Sequence, residues 1–198
     1  MKHRYIYLVF SKTSTWLART LGVFSDSKYV HASLSFDSSF KKMYSFGRTN
    51  PSNPFSGGFV EENIYDGVFK RCPSSQCKIY KVKVTDEQYK LLKRQIKEFV
   101  KSKHIYKYNF IGLFGVLLNK PIKRKNHYFC SQFVSEILIK SNVYYFDKVP
   151  ELIRPSDLSN IKDMDLMYEG YISEYYRADS ITVQDAVYKK HLDTPAFP

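Results

Sequence analysis

The sequence predicts an α+β fold in which a mainly antiparallel sheet packs against a helix that begins with a cysteine. Three observations carry this. Cys77 to Val84, Cys-Lys-Ile-Tyr-Lys-Val-Lys-Val, alternates apolar and basic residues, the period of a half-exposed strand. Tyr29 to Phe36 and Phe40 to Gly47 flank Asp37-Ser38-Ser39, which reads as a strand, a tight turn and a second strand. Cys130, Phe133, Val134, Ile137 and Leu138 recur at the spacing of one helix face, with Ser131, Gln132, Ser135 and Glu136 on the other.

In chain order, Tyr5 to Phe10 is a first strand, aromatic and β-branched. Thr13-Ser14-Thr15 offers caps for a short helix with Trp16, Leu17, Thr20, Leu21 and Phe24 as its stripe. In the second strand His31, Ser33 and Ser35 share one side, and Ala32, Leu34 and Phe36 the other. A hairpin centred on Ser38 sets His31 opposite Ser45 and Ser33 opposite Met43. The small serines then leave room for a helix on that side. Thr49 to Gly58 is a loop by its Pro, Asn, Ser and Gly content. Phe59 to Ile64 reads as a strand and Asp66-Gly67 as a turn. Thr85-Asp86 caps a helix ending near Ser102, with Tyr89, Leu92, Ile96, Phe99 and Val100 inward and lysines outward.

Ile111 to Leu118 is an apolar helical segment expected beneath the Cys130 helix. Its Gly112 and Gly115 suit close packing better than phosphate binding. The Pro-broken basic loop Lys120 to Lys125 delivers the chain to Cys130 and brings positive charge towards it. Beyond the Cys130 helix, 142–146 is a turn or short strand, Arg154-Pro155-Ser156-Asp157-Leu158 starts a helix, and Leu166 to Tyr176 is a strand. With no repeat and no linker, residues 1–198 read as one domain, in which 177–198 wraps the surface or frays.

The 198 residues carry 31 lysines and arginines against 19 acidic residues, a net charge of +12. That balance favours an anionic partner without choosing among nucleic acid, a phospholipid surface and an acidic polymer. The three cysteines, Cys72, Cys77 and Cys130, are too few and of the wrong parity for a disulfide framework. The Cys72–Cys77 spacing is poor for zinc, so neither metal nor cofactor is expected. The short apolar run at the start lacks a cleavage site, and no stretch spans a membrane, which predicts a cytoplasmic protein.

A nucleophilic cysteine needs a thiolate, an imidazole to move its proton, and a polar group to orient the imidazole. Cys130 meets the first need, because a helix N-terminus lowers a free thiol pKa of about 8.5. The competing reading is a small buried hydrophobe on a core helix. His31, inside a strand on its less apolar side, is the best imidazole, since His3 and His191 lie near the termini, His104 lies in a polar junction, and His127 points away from the helix. Ser45 can take the second ring nitrogen, or Glu61 or Glu62 if their strand lies next in the sheet. Tyr108 can offer a phenol to a developing oxyanion.

Tyr29-Val30-His31-Ala32-Ser33-Leu34-Ser35-Phe36, the hairpin, the upstream tyrosine and Tyr-Phe-Cys130-Ser131-Gln132-Phe133-Val134 together resemble the circularly permuted papain-like cysteine hydrolases. These are relatives of the NlpC-type cell-wall peptidases and of the lecithin retinol acyltransferase group. The histidine strand precedes the cysteine helix, as in permuted members, and Arg154-Pro155-Ser156-Asp157-Leu158 resembles their proline-led stretch. The likeness covers about residues 5–160. It implies a permuted papain-like fold, Cys130 as nucleophile, His31 as base, Tyr108 as the family's upstream tyrosine, and acyl transfer through a thioester. The substrate would be a peptide, amide or ester, lipid esters included. Serine at position 45 departs from the histidine, glutamate, asparagine or glutamine common in relatives.

Two other readings stand beside it. One is a non-catalytic basic domain holding anionic lipid or nucleic acid through Lys120 to Lys125 and the Lys90 to Lys101 face, with peripheral membrane contact. The other is an enzyme scaffold that has lost its activity, with Ser45 as the symptom.

Overall fold

The computed structural model describes residues 3–12, 29–50, 53, 56–72 and 74–176. The helix expected around Trp16 to Phe24 and the tail 177–198 lie outside them.

A six-stranded antiparallel sheet organises the described chain. Its strands are β1 (His3–Lys12), β2 (His31–Ser35), β3 (Met43–Arg48), β4 (Gly57–Glu62), β5 (Gln76–Thr85) and β8 (Asp165–Tyr171). Their order is β4-β3-β2-β1-β5-β8, so β1 sits inside the sheet between β2 and β5. A second, two-stranded parallel piece joins β6 (Lys107–Tyr108) to β7 (His127–Tyr128). The helices are α1 (Gly67–Arg71), α2 (Asp86–Lys101), α3 (Phe110–Leu117), α4 (Cys130–Lys140) and α5 (Pro155–Ser159). The architecture is α+β with a mainly antiparallel sheet.

Both faces of the sheet are covered. Ile6, Leu8, Phe10, Ala32, Leu34, Phe46, Val82 and Val84 face α2 and α4 and build the larger core with Leu92, Ile96, Phe133, Val134 and Ile137. Val9, Met43, Cys77 and Ile79 face the other way and form a smaller core with Phe40, Ile64, Phe69 and Ile172. α2 starts at a capping box: Thr85 Oγ1 accepts from the Gln88 amide at 3.1 Å, and Gln88 Oε1 accepts from the Thr85 amide at 2.8 Å.

Several expectations need correction. The β2–β3 register pairs Leu34 with Tyr44 and Ser35 with Met43, two residues from a hairpin centred on Ser38. The connection is longer, and Phe40 takes a left-handed conformation (φ 51°) that puts its ring into the smaller core. A slip of two keeps each side chain on its expected face but changes its partner. Carried along the strands, the register sets Gly47, not Ser45, opposite His31. The Cys130 helix packs on the Ala32–Leu34 face, not on the serine face.

Asp66-Gly67 does turn the chain, but it leads into α1, which the sequence reading left out. The strand at Leu166 stops at Tyr171, and 172–176 is helical. α3 packs on a 3₁₀ turn, Pro150–Leu152, rather than under α4. α4 is itself buried on nearly all sides, its serines satisfied locally: Ser131 Oγ donates to the Ile153 carbonyl at 2.7 Å and Ser135 Oγ to the Gln132 carbonyl at 3.0 Å.

Candidate active site

The site lies where β2 begins and α4 begins. Val30 precedes the first residue of β2, and the Cys130 thiol points at the Val30 carbonyl at 3.9 Å. His31 belongs by alternation to the sheet face away from α4. Being the first residue of its strand, it stands at the sheet's rim, where a ring from one face can meet a helix end from the other. The Cys130 thiol lies close enough to that ring to raise the His31 pKa, while its own hydrogen-bond contact runs to the Val30 carbonyl.

Glu62 holds the far side of the imidazole. His31 Nε2 lies 3.0 and 3.1 Å from the two Glu62 carboxylate oxygens, and Ser33 Oγ donates to Glu62 Oε2 at 2.6 Å. The alternation explains the choice between the two glutamates. Met43 pairs with Glu62 and Ser35 with Met43, so Glu62 shares the face of His31, Ser33 and Ser35. Glu61 pairs with Tyr44 on the opposite face and binds Lys42 at 3.0 Å. To reach His31, the Glu62 carboxylate crosses β3 over Ser45 and Gly47. A Cβ on Gly47 would sit 3.7 Å from Glu62 Oε1 and 3.9 Å from His31 Cε1, so a large side chain there would occupy the crossing.

Ser45 is not the partner of His31. It is fully buried and donates to the Ala32 carbonyl at 2.7 Å, which spends its one proton on the backbone of β2.

The electrostatics follow from this packing. Burial disfavours the charged imidazolium, but Glu62 and Cys130 outweigh it and hold the His31 pKa well above its ordinary value. Burial likewise opposes the Glu62 carboxylate, yet the His31 charge and the hydrogen bonds from His31 and Ser33 bring its pKa below the usual 4.5. The side chains are 17% and 20% exposed, so solvent screens the pair little.

Tyr108 is buried, and its pKa is pushed well above 10, first by burial and then by the charge of Cys130, so the phenol keeps its proton. It sits on β6 next to β7, which runs directly into Phe129 and Cys130. Gly57 fixes it from behind: a Cβ there would come within 2.6 Å of Tyr108 Cβ. The basic loop is fastened to α3: the Lys120 amide donates to the Gly115 carbonyl and Asn109 Nδ2 to the Ile122 carbonyl.

Phe129, the residue before α4, has no side-chain acceptor for the first-turn amides. The Cys130 amide therefore begins a helix whose N-terminus keeps its positive end available. Cys130 is 4% exposed. A cleft of about 360 Å³ on the far side of the sheet, bounded by Arg48, Val60, Glu62 and Arg71, reaches the carboxylate but not the thiol.

The other thiols differ. Cys77 is fully buried in β5, and burial pushes its pKa up to about 12. Cys72 is half-buried at the end of α1. Among the described residues no group of acidic, histidine and cysteine side chains is arranged to hold a metal ion, and no helix is long and apolar enough to cross a membrane.

Of the candidates read from sequence, Cys130, His31 and Tyr108 come together, and Ser45 is displaced from its role. Glu62 takes that role, and Ser33 was missed altogether. The signal for Ser33 was its place two residues from His31 on the same strand. Comparison with known protein families, curated proteins and solved structures finds no match to this chain.

Proposed function

We propose that the protein is a cysteine-dependent acyl-transfer enzyme of permuted papain-like type, acting on a peptide, amide or ester carbonyl. The observation that carries the reading is a single cluster: an imidazole gripped through Nε2 by a carboxylate at 3.0 Å, with a helix-start thiol 3.9 Å from the carbonyl of the residue before the histidine. In chain order the base precedes the nucleophile by 99 residues (31 to 130), the order of the permuted relatives that the sequence resembles.

In this mechanism His31 takes the proton of Cys130 through the ring nitrogen that Glu62 leaves free. The sulfur attacks the carbonyl carbon, and the electron pair of the C=O moves to oxygen. The Cys130 amide and the Tyr108 hydroxyl donate to that oxyanion. Collapse of the adduct expels the amine or alcohol, which takes the proton held by His31, and leaves a thioester. Water or another acceptor, deprotonated by His31, then attacks the thioester and returns the thiol. Glu62 keeps the ring oriented and stabilises the imidazolium throughout.

The test has two parts. Iodoacetamide at mildly acidic pH should alkylate Cys130 ahead of Cys72 and Cys77, and His31→Ala should abolish that preference. A p-nitrophenyl ester should leave an acyl adduct on Cys130, seen by mass spectrometry. Slow and equal alkylation of all three thiols, with no adduct, would sink the reading.

A further inference from the structure

Helix α3 is apolar on every side, yet only half of it is used. Gly112, Leu113, Gly115 and Val116 face the interior. Ile111, Phe114, Leu117 and Leu118 face outward, at 50%, 54%, 47% and 68% exposure. At about 100° per residue these four fall within roughly a third of the helix circumference. An exposed helix face is ordinarily polar, so this one lacks a partner within the described fold.

The second observation is charge. From Ser102 to Ile137 the only carboxylate is Glu136, while Lys103, Lys107, Lys120, Lys123, Arg124 and Lys125 supply six cations. Among the described residues none of the six is ion-paired. The loop that carries four of them is fastened to α3. The Lys120 amide donates to the Gly115 carbonyl at 2.8 Å, and Asn109 Nδ2 donates to the Ile122 carbonyl at 3.1 Å. Gly115 makes the approach possible, since a Cβ there would stand 2.4 Å from the Lys120 carbonyl oxygen. The apolar face and the four loop cations are therefore held together as one unit.

We propose that this unit docks the protein on an anionic phospholipid membrane. Ile111, Phe114, Leu117 and Leu118 enter the boundary between headgroups and acyl chains, and the cations around them meet lipid phosphates. Nucleic acid would engage the cations but would leave four large apolar side chains in water. A second copy would cover the apolar face only by bringing two basic loops together, on chains of net charge +12. The docked face borders the candidate site, because Phe110 at the start of α3 packs against the Tyr108 ring at 4.8 Å. Docking itself does not depend on thiol chemistry.

Vesicle co-sedimentation of the full chain tests this, with phosphatidylcholine alone set against an equal mixture with phosphatidylglycerol. The protein should bind the mixture, and bind phosphatidylcholine only weakly. Phe114→Ser with Leu118→Ser should lower the partition coefficient at least about 30-fold. Lys123→Gln with Lys125→Gln should lower it about 25-fold, since each cation near an anionic surface is worth about five-fold. Lys90→Gln with Lys97→Gln on α2 should change little. The residues substituted on α3, the loop and α2 are exposed, so folding is retained, and circular dichroism verifies it for every variant. Cys130→Ser should bind as the parent does, which separates this result from that of the acyl-transfer test. Three outcomes overturn the proposal: binding indifferent to the Phe114 and Leu118 changes, binding to duplex DNA but not to vesicles, or a dimer that Phe114→Ser dissociates.

Discussion

Glu62 and Ser45 lie on neighbouring strands and the same sheet face, yet only one of them can orient His31. A carboxylate accepts from the imidazolium at no loss elsewhere, whereas the Ser45 hydroxyl already serves the Ala32 carbonyl. Glu62→Gln removes the charge but keeps the shape. Alkylation of Cys130 at mildly acidic pH should then slow by about tenfold, because the ring holds its proton less firmly. Ser45→Ala should leave that rate unchanged and cost about 1 kcal/mol of stability for the lost buried hydrogen bond, measured by urea denaturation. Equal kinetic effects of the two changes would contradict the assignment. Tyr108 allows a different separation. Alkylation by iodoacetamide builds no oxyanion, but attack on an ester does. Tyr108→Phe should therefore lower ester acylation on the order of 100-fold while leaving alkylation within about twofold. A parallel loss in both rates would show that the tyrosine only packs.

At the scale of elements, the site depends on close approaches that carry no chemistry of their own. β4 passes β6 where Gly57 meets Tyr108, with no room for a methyl group. Gly57→Ala should displace the phenol, lower ester acylation at least about tenfold, and destabilise the fold by about 1–3 kcal/mol through overpacking. Kinetics together with a denaturant midpoint would check both parts. Rates equal to the parent's would mean that β6 yields freely and that the phenol position is not set from behind. α4 contributes differently. Its serines are buried and tied to the Ile153 and Gln132 carbonyls, so the helix is clamped and the sulfur at its start is held in place. The polar side of α4 is covered in part by the segment around Ile153, whose carbonyl takes the Ser131 hydroxyl. The helical period places residues on faces but does not say how many faces the rest of the chain will cover.

For the whole molecule, the His31–Glu62 pair ties two distant strands to the state of a proton. His31 has a folded pKa above its ordinary 6.5, so its contribution is complete below about 6.5 and is lost as pH rises through the folded value. Glu62 has a folded pKa below 4.5, so its contribution is present above about 4.5 and is lost as pH falls through the folded value. The stability difference between the parent and Glu62→Gln should therefore be greatest between about pH 4.5 and 6.5 and shrink on either side. Melting both proteins within that window and well beyond it on both sides tests it, and a gap that stays constant over the whole span would mean that the pair is not charged in the folded state.

The sequence by itself determined what short-range physics controls. Alternation placed β2, β3 and β5, Thr85-Asp86 announced α2, and the apolar spacing after Cys130 announced α4 with a thiol at its first position. His31 stood out because an imidazole within a half-polar strand is chemically conspicuous. Tertiary structure alone decided which carboxylate meets that imidazole. The answer passes through two strand registers, and a hairpin register slipped by two residues keeps every face while replacing every partner. It also decided that half of α3 stays uncovered, because a uniformly apolar helix carries no mark of which side the rest of the chain will bury.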